Sequence, residues 1–76
     1  MRVFFLVKVK TGNVDKVIDK IKKYDRISDA VATFGTWDIV AIGNFEKHEE
    51  ITDFMRTELI DLEEVRETNS LIEAKG

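Results

Sequence analysis

Hydrophobic residues alternate with a period of two along the first segment of the chain. Valine and phenylalanine occupy the odd positions from Val3 to Val9, and Phe4 and Leu6 place apolar side chains on the opposite face as well. A run this rich in β-branched and aromatic residues predicts a strand over residues 2–10. Because both faces are apolar, we expect this strand to lie in the centre of a sheet and to be covered on both sides.

The following segment changes to the spacing of an amphipathic helix. Asn13 is a suitable N-cap, and Asp19 and Lys23 are spaced as an i,i+4 ion pair on the polar face. We therefore predict a helix of about three turns that ends near Asp25. Its apolar stripe consists of Val14, Val17, Ile18, Ile21 and Tyr24.

A tight turn separates two further extended runs. Gly35 can adopt the positive φ angle that a tight turn requires, and the Asp38 carboxylate can hydrogen-bond the turn backbone. Trp37 stands between them, either as a ring that caps the hairpin or as part of a surface that something covers. These features predict a β-hairpin. It comprises strands over residues 27–34 and 39–45, joined by Gly35-Thr36-Trp37-Asp38.

A second helix and a fourth strand complete the pattern. The acidic residues within positions 46–50 suit a helix N-terminus, and the apolar stripe that follows extends to Leu62. The strand predicted over residues 65–74 is polar in its middle, which requires either solvent or a ligand at that place. The polar positions are Glu67, Thr68, Asn69 and Ser70.

The order β-α-β-β-α-β predicts an α+β, ferredoxin-like fold for one domain spanning residues 1–76. Two right-handed crossovers would place both helices on one face of a four-stranded antiparallel sheet. The other face has no cover, although the first and third strands are apolar on both sides. We therefore expect a second copy to pack against it, which gives a dimeric α/β sandwich joined through the sheets.

Composition and charge exclude several classes of function. The chain has no cysteine and one histidine, so disulfides, thiolate metal sites and zinc sites built from several histidines are excluded. Neither a glycine-rich phosphate loop nor a nucleophile elbow is present, and we predict no catalytic residues, no metal and no cofactor. A net charge of −3 without a basic block argues against direct nucleic-acid binding. No apolar run is long enough to span a membrane and no signal peptide precedes the first strand, so we expect a cytoplasmic protein.

Several short motifs occur along the chain: Phe5-Leu6-Val7-Lys8-Val9, Gly12, the hairpin Thr33-Phe34-Gly35-Thr36-Trp37-Asp38-Ile39, and Val65-Arg66. In this order and spacing they resemble the effector-binding domain of the Lrp/AsnC transcriptional regulators, also called the RAM domain. The resemblance covers essentially the whole chain. It departs from the family pattern in the loop before the last strand, where Glu63-Glu64-Val65 replaces Pro-Gly-Val, and in the more polar last strand.

The resemblance implies a stand-alone version of the domain, as known in archaea and bacteria, without the DNA-binding winged helix-turn-helix of the longer regulators. Family members pair through their sheets, and the dimers close into rings, commonly octamers, with amino-acid effectors in the clefts between dimers. By resemblance, Asp38 would hold the ammonium group, Gly35 and Thr36 would offer backbone groups, and Trp37 would wall the cleft. The last-strand residues Thr68, Asn69 and Ser70 occupy positions that tune the effector response in relatives.

The implied function is an amino-acid-binding, oligomeric module of transcription regulation without enzymatic activity, which acts alone or together with a full-length regulator. Two alternatives share the fold. One is a small dimeric α+β barrel enzyme of the antibiotic-biosynthesis monooxygenase type, which needs an enclosed polar pocket between sheet and helices. The other is an ACT-type amino-acid-binding domain, which pairs its sheets side by side. For Asp38 itself, the alternative is a purely structural aspartate that stabilises the turn.

Overall fold

The computed structural model describes residues 1–76 and has the element order expected from the sequence. Its strands are β1 (Arg2–Val9), β2 (Ile27–Ala32), β3 (Ile39–Asn44) and β4 (Val65–Ile72). Its helices are α1 (Val14–Ile21) and α2 (His48–Phe54), and α2 continues directly into a π-helical segment, Met55–Leu59.

β1 lies inside the sheet, whose strand order is β2-β3-β1-β4 with antiparallel pairing throughout. The predicted ferredoxin-like fold is therefore confirmed, including the central position of the first and third strands. Cross-strand partners show which residues share a face, since Phe5 lies opposite Ala41 and Phe4 lies opposite Ile42. The odd-numbered residues of β1 face the helices and the even-numbered ones face away from them.

The hydrophobic core fills the space between the sheet and the helices. The Phe5 ring lies 5.6 Å from Phe45 and 5.2 Å from Phe54, measured between ring centroids. Tyr24 packs edge-on against Phe54 at 5.3 Å. Aromatic rings in these tilted and edge-on contacts pack densely. The fully buried residues of the core are Val3, Phe5, Val7, Val17, Ile21, Ile39, Ala41 and Leu59.

The first helix is shorter than predicted, because its hydrogen bonding changes before Asp25. After Ile21 the backbone N–H groups of Lys23 and Tyr24 donate to carbonyls three residues back, at 3.3 and 3.2 Å. The predicted N-cap also differs: the Asn13 carboxamide makes no capping bond and instead donates to the carbonyls of the preceding turn. The helix therefore begins at the expected place without a side-chain cap.

The second helix begins at His48, two residues later than the start of the acidic segment. The Glu50 carboxylate accepts hydrogen bonds from the backbone N–H groups of Glu46 and Lys47, each at 3.1 Å. A carboxylate that satisfies free N–H groups at a helix start is a capping interaction. Residues 46 and 47 therefore form the cap that precedes the helix.

Glu64 joins α1 to the ends of two strands. The predicted pair of Asp19 and Lys23 does not form. Lys20 and Lys16 instead lie 2.9 and 3.2 Å from the Glu64 carboxylate, which is only 4% exposed. The hydrogen bond from Lys20, followed by that from Lys16, lowers the pKa of Glu64 to about 2. Its backbone carbonyl also accepts the Lys10 N–H at 2.9 Å, so one residue holds the helix and the end of β1 together.

Gly43, near the end of β3, allows the backbone just before β2 to approach closely. A Cβ atom on Gly43 would lie 2.8 Å from the carbonyl oxygen of Arg26. The same carbonyl accepts the Asn44 N–H at 3.1 Å. The β2–β3 register shifts between Ile27 and Asp29, opposite this point. Glycine is therefore required here by the close approach of the backbone rather than by its φ angle.

Candidate functional site

The hairpin turn is closed by its own backbone and by Thr33. The Thr33 N–H donates to the Asp38 carbonyl at 2.9 Å, and the Thr33 hydroxyl donates to the Trp37 carbonyl at 2.7 Å. Gly35 has a φ of +118°, which confirms its predicted role in the turn. Because these bonds turn the chain at Thr33, β2 ends at Ala32 and not at Phe34, and the Phe34 ring is fully exposed.

The Asp38 carboxylate replaces a missing strand partner of β1. The Asp38 N–H donates to the Val7 carbonyl at 2.9 Å. The β1–β3 pairing ends with Val7 and Ile39, and the two strands separate beyond them. The Val9 N–H, in a residue only 6% exposed, then donates to Asp38 Oδ2 at 2.9 Å. Asp38 Oδ1 has no hydrogen-bond donor within the chain. One carboxylate oxygen is thus structural, and the other is available to a ligand.

Asp38 lies in a surface cleft of about 450 Å³ at the end of β1. The cleft is bounded by the end of β1, the Thr11–Gly12 turn, the hairpin residues Thr36 and Asp38, and Arg66 of β4. Its volume lies within the range of about 300–1,000 Å³ that is typical of small-ligand sites. We refer to it below as the Asp38 cleft.

A glycine turn supplies free backbone donors to the Asp38 cleft. The Asn13 N–H donates to the Lys10 carbonyl at 3.1 Å, and Gly12 has a φ of +84°. This combination is that of a type II turn, which needs glycine at its third position. The N–H groups of Thr11 and Gly12 have no hydrogen-bond acceptor within the chain, so they can serve a bound anion.

Three cationic side chains line the Asp38 cleft: Lys8, Lys10 and Arg66. None of them has a carboxylate within ion-pairing distance. A β-bulge explains the position of Arg66. In the backbone register of β1 and β4, Lys8 lies opposite Glu67 and Val9 lies opposite Val65, so Arg66 has no residue opposite it on β1. Bulges commonly redirect a side chain in this way.

The structure divides the residues predicted from the sequence among different surfaces. Thr36 and Asp38 line the cleft, whereas Gly35 and Trp37 do not. The Trp37 ring instead packs under Lys8, with the Lys8 Nζ 5.6 Å from its centroid, which is a cation–π distance.

The last-strand residues Thr68, Asn69 and Ser70 also lie outside the cleft. Thr68 and Ser70 are opposite Val7 and Phe5 on the helix side, and Asn69 is opposite Leu6 on the open face. Thr68 lines a separate, smaller cleft of about 260 Å³ beside the π-helical segment.

Lys8, Lys10 and Arg66 were not recognised as site residues from the sequence. The available signal was the pair of lysines that ends the apolar alternation of β1. The bulge at Arg66 leaves no trace in the hydrophobic pattern, so its convergence with the lysines becomes visible only in three dimensions.

The largest surface cleft lies at the opposite end of the sheet, around Met1, Arg26 and Glu50, and measures about 510 Å³. Its one side-chain cation is already satisfied, because the Arg26 guanidinium donates to both Glu50 oxygens at 3.2 and 3.3 Å. The same hydrogen bonds lower the pKa of Glu50 and raise that of Arg26. The Asp38 cleft, whose charges lack partners, is the better candidate for a ligand site.

Two other kinds of feature are absent. No helix combines the length and the apolar character needed to cross a membrane. No group of three or more histidine, cysteine, aspartate or glutamate side chains is arranged to hold a metal ion.

The family model described as the Lrp/AsnC ligand binding domain matches residues 2–75 of the chain. No curated protein sequence gives a significant match. The sequence motifs noted above and this family match thus point in the same direction.

Solved structures share the fold closely. A protein from Thermus thermophilus superposes with a TM-score of 0.91 at 21% identity, over 99% of this chain and 94% of its own. AsnC of E. coli has a TM-score of 0.91 at 16% identity, over 99% of this chain and 51% of its own. A transcriptional regulator of Neisseria meningitidis, solved as a complex with L-Met, has a TM-score of 0.83 at 18% identity, over 99% and 52%. At these identities the likeness shows the fold, and this chain spans about half the length of the two regulators.

Proposed function

The chain belongs to the family of Lrp/AsnC ligand-binding domains, and on this premise we propose that it is a regulatory module that binds an amino acid in the Asp38 cleft. The free Oδ1 of Asp38 beside three unpaired cations is the observation that carries the proposal. An α-amino acid presents one ammonium and one carboxylate, and both would find a partner of opposite charge here. Charge-assisted hydrogen bonds of this kind are the strong ones in proteins.

The two halves of the amino-acid backbone have separate partners in this proposal. The ammonium donates to Asp38 Oδ1, while Oδ2 keeps its bond to the Val9 N–H. The α-carboxylate accepts from the Thr11 and Gly12 N–H groups, with Thr36 at the rim of the cleft. Gly35 forms part of the turn that positions Asp38. The Trp37 ring contacts Lys8, a residue of the cleft, so its fluorescence should change when a ligand binds. A role for Thr68, Asn69 and Ser70 in tuning the response stays a prediction.

We also propose that two copies pair through their open sheet faces. The partly buried side chains of Phe4, Leu6, Val40 and Ile42 form an apolar surface on that face, which neither helix covers. Only its edge is covered, where the Arg2 guanidinium lies 5.1 Å from the Phe4 ring centroid. Val31 and Leu71 extend it and are 45% and 56% exposed. A contiguous apolar surface of this kind marks an interface. Face-to-face pairing also distinguishes this domain from the side-by-side pairing of ACT-type domains.

Higher assembly into rings, octamers among them, is a further part of the proposal. The fully exposed Phe34 ring lies in the hairpin turn, beyond the end of β2. An aromatic ring so exposed is a suitable anchor for a second interface. In this proposal full-length Lrp/AsnC regulators are partners in such an assembly, and the place of action is the cytoplasm.

The filled core favours a binding module over the monooxygenase-type enzyme. That alternative needs an enclosed polar pocket between sheet and helices, where this chain places the contacts among Phe5, Phe45 and Phe54. The candidate polar groups lie instead at the end of the sheet, in an open cleft.

Isothermal titration calorimetry against the twenty standard amino acids tests the proposal. Binding to the folded state raises the apparent stability, so a thermal-shift screen identifies candidates first. For an amino acid that binds, Asp38→Asn should weaken affinity by about 1.5–3 kcal/mol, or roughly 10- to 150-fold, through loss of one charge-assisted bond. Equal affinity of the variant would contradict the role of Asp38, and no binding by any amino acid would contradict the proposed function.

A further inference from the structure

The charges around the Asp38 cleft are unbalanced in favour of positive charge. The residues that line the cleft include three cations, Lys8, Lys10 and Arg66, and one carboxylate, that of Asp38, although the whole chain has a net charge of −3. Glu67 lies opposite Lys8 in the β1–β4 pairing but forms no ion pair with it. An unbalanced set of like charges in one cleft selects ligands that carry the opposite charge.

A neutral amino acid would balance only part of this positive charge. Its ammonium occupies Asp38 and its α-carboxylate occupies one cation together with the turn N–H groups. Two cations then remain without a counter-charge. The apolar lining is confined to Val9, which is buried in the core, and Val14, so the cleft offers little surface to a large hydrophobic side chain.

We propose that the ligand of the Asp38 cleft is a dicarboxylic α-amino acid, of the aspartate and glutamate class. This inference rests on the proposed function and specifies its ligand. The second carboxylate lies against Arg66, whose planar guanidinium can form two parallel hydrogen bonds with it. Lys8 and Lys10 then share the α-carboxylate with the N–H groups of the turn. Every charge of the ligand has an oppositely charged partner in this arrangement.

Asp38 also disfavours simple anions at the same place. A phosphate or a dicarboxylate without an ammonium group would place its negative charge beside the Asp38 carboxylate. Like charges in contact repel, and Asp38 Oδ1 would have no hydrogen-bond donor on such a ligand. The cleft therefore requires an ammonium and more than one carboxylate together in one molecule.

Calorimetric titration of the full chain with matched pairs of ligands tests this inference. L-glutamate is compared with L-glutamine and L-aspartate with L-asparagine, because each pair differs in charge but not in shape. Glutarate tests the need for the ammonium group, and inorganic phosphate tests for a general anion site. We expect one of the acids to bind at least about tenfold more tightly than its amide, the difference between a charged and a neutral hydrogen-bond partner.

Variants of Arg66 separate recognition of the side-chain carboxylate from amino-acid binding in general. Arg66→Gln should reduce the affinity for the acid by about tenfold and leave that for the amide unchanged. Arg66→Lys, which keeps the charge and loses the planar fork, should fall between the two. Arg56→Gln removes a matched charge outside the cleft and should change neither affinity, while circular dichroism confirms that each variant is folded.

Each other outcome contradicts a defined part of the argument. If an amide or L-methionine binds at least as tightly as the acids, amino-acid binding stands and the dicarboxylic preference is wrong. If glutarate or phosphate binds as tightly as L-glutamate, the cleft is a general anion site and the preference is wrong as well. If no amino acid binds at millimolar concentration, the proposed function fails and this inference fails with it.

Discussion

The Asp38 carboxylate accepts a hydrogen bond from the backbone N–H of Val9 at 2.9 Å, across the point where the two central strands separate. The residue proposed to bind a ligand is therefore also part of the sheet. Asparagine at this position keeps an oxygen acceptor for Val9, whereas alanine does not.

We expect Asp38→Ala to destabilise the protein by about 1–3 kcal/mol, because it leaves a buried N–H group without an acceptor. Asp38→Asn should cost clearly less. Urea unfolding of both variants measures the difference. Equal destabilisation by alanine and asparagine would mean that the bond to Val9 contributes nothing, and that charge alone matters at Asp38.

Acid should weaken the protein through Glu64. The hydrogen bond from Lys20 lowers its pKa to about 2, from an ordinary value of 4.5. A carboxylate with a lowered pKa in the folded state stabilises that state fully above pH 4.5 and loses its contribution as the pH falls toward 2. The urea midpoint of Glu64→Gln should therefore fall less than that of the wild type between about pH 5 and about pH 2.5. Glu63→Gln, which alters the exposed neighbouring acid, should follow the wild-type curve, and parallel curves for all three proteins would contradict the assignment.

Replacing a central residue of the open sheet face should dissociate the proposed dimer. Leu6→Glu places a charge in the middle of the apolar surface, where burial without a partner is costly. Sedimentation velocity should show a monomer for this variant and a dimer or larger species for the wild type. Ile60→Glu is the matched control, because Ile60 is exposed outside that face. A wild-type monomer in dilute solution would contradict sheet-to-sheet pairing.

Gly43→Ala should destabilise the hairpin by about 1–3 kcal/mol, the usual cost of overpacking. The added methyl group would lie 2.8 Å from the Arg26 carbonyl oxygen, so the backbone has to move. Thermal unfolding and urea unfolding both report the loss. Asn44→Ala alters the exposed neighbouring residue and should stay within about 0.5 kcal/mol of the wild type. A Gly43→Ala variant as stable as the wild type would show that the Arg26 segment can yield freely.

The chain should not bind duplex DNA at physiological salt. Its net charge is −3, and the three cations of the Asp38 cleft form too small a positive surface to release many counterions from a phosphate backbone. An electrophoretic mobility shift with micromolar protein should show free DNA only. A retarded band under these conditions would contradict the proposal that the domain regulates without contacting DNA itself.

The hydrophobic pattern predicted the sheet well because its signal is local. Alternation in β1 follows from the pleat itself, so the buried positions Val3, Phe5 and Val7 could be identified in advance. The ends of the elements were less predictable. β2 stops at Ala32 because the Thr33 hydroxyl donates to the Trp37 carbonyl, a contact that no periodicity encodes.

The candidate site was predictable only in part, because it is assembled from distant segments. The family resemblance points to Asp38, which lines a cleft in the structure, and its role in ligand binding stays a prediction. The sequence alone indicates only an ordinary turn at Glu64. Its partner Lys20 lies 44 positions earlier, so their contact is not visible in the local pattern. Arg66 reaches the cleft through a bulge, and bulges are set by pairing between strands rather than by either strand alone.

The central position of β1 has a consequence for the synthesis of the protein. Of the four strands of this sheet, β1 is translated first, and both of its neighbours, β3 and β4, come later. Contacts between such distant segments form slowly, because a long loop has to close before they can stabilise anything. A nascent chain on the ribosome therefore carries the apolar side chains of β1 without their final neighbours until Val65–Ile72 has been made. Chains interrupted before that point retain an unpaired strand edge, which makes them targets for chaperones and proteases.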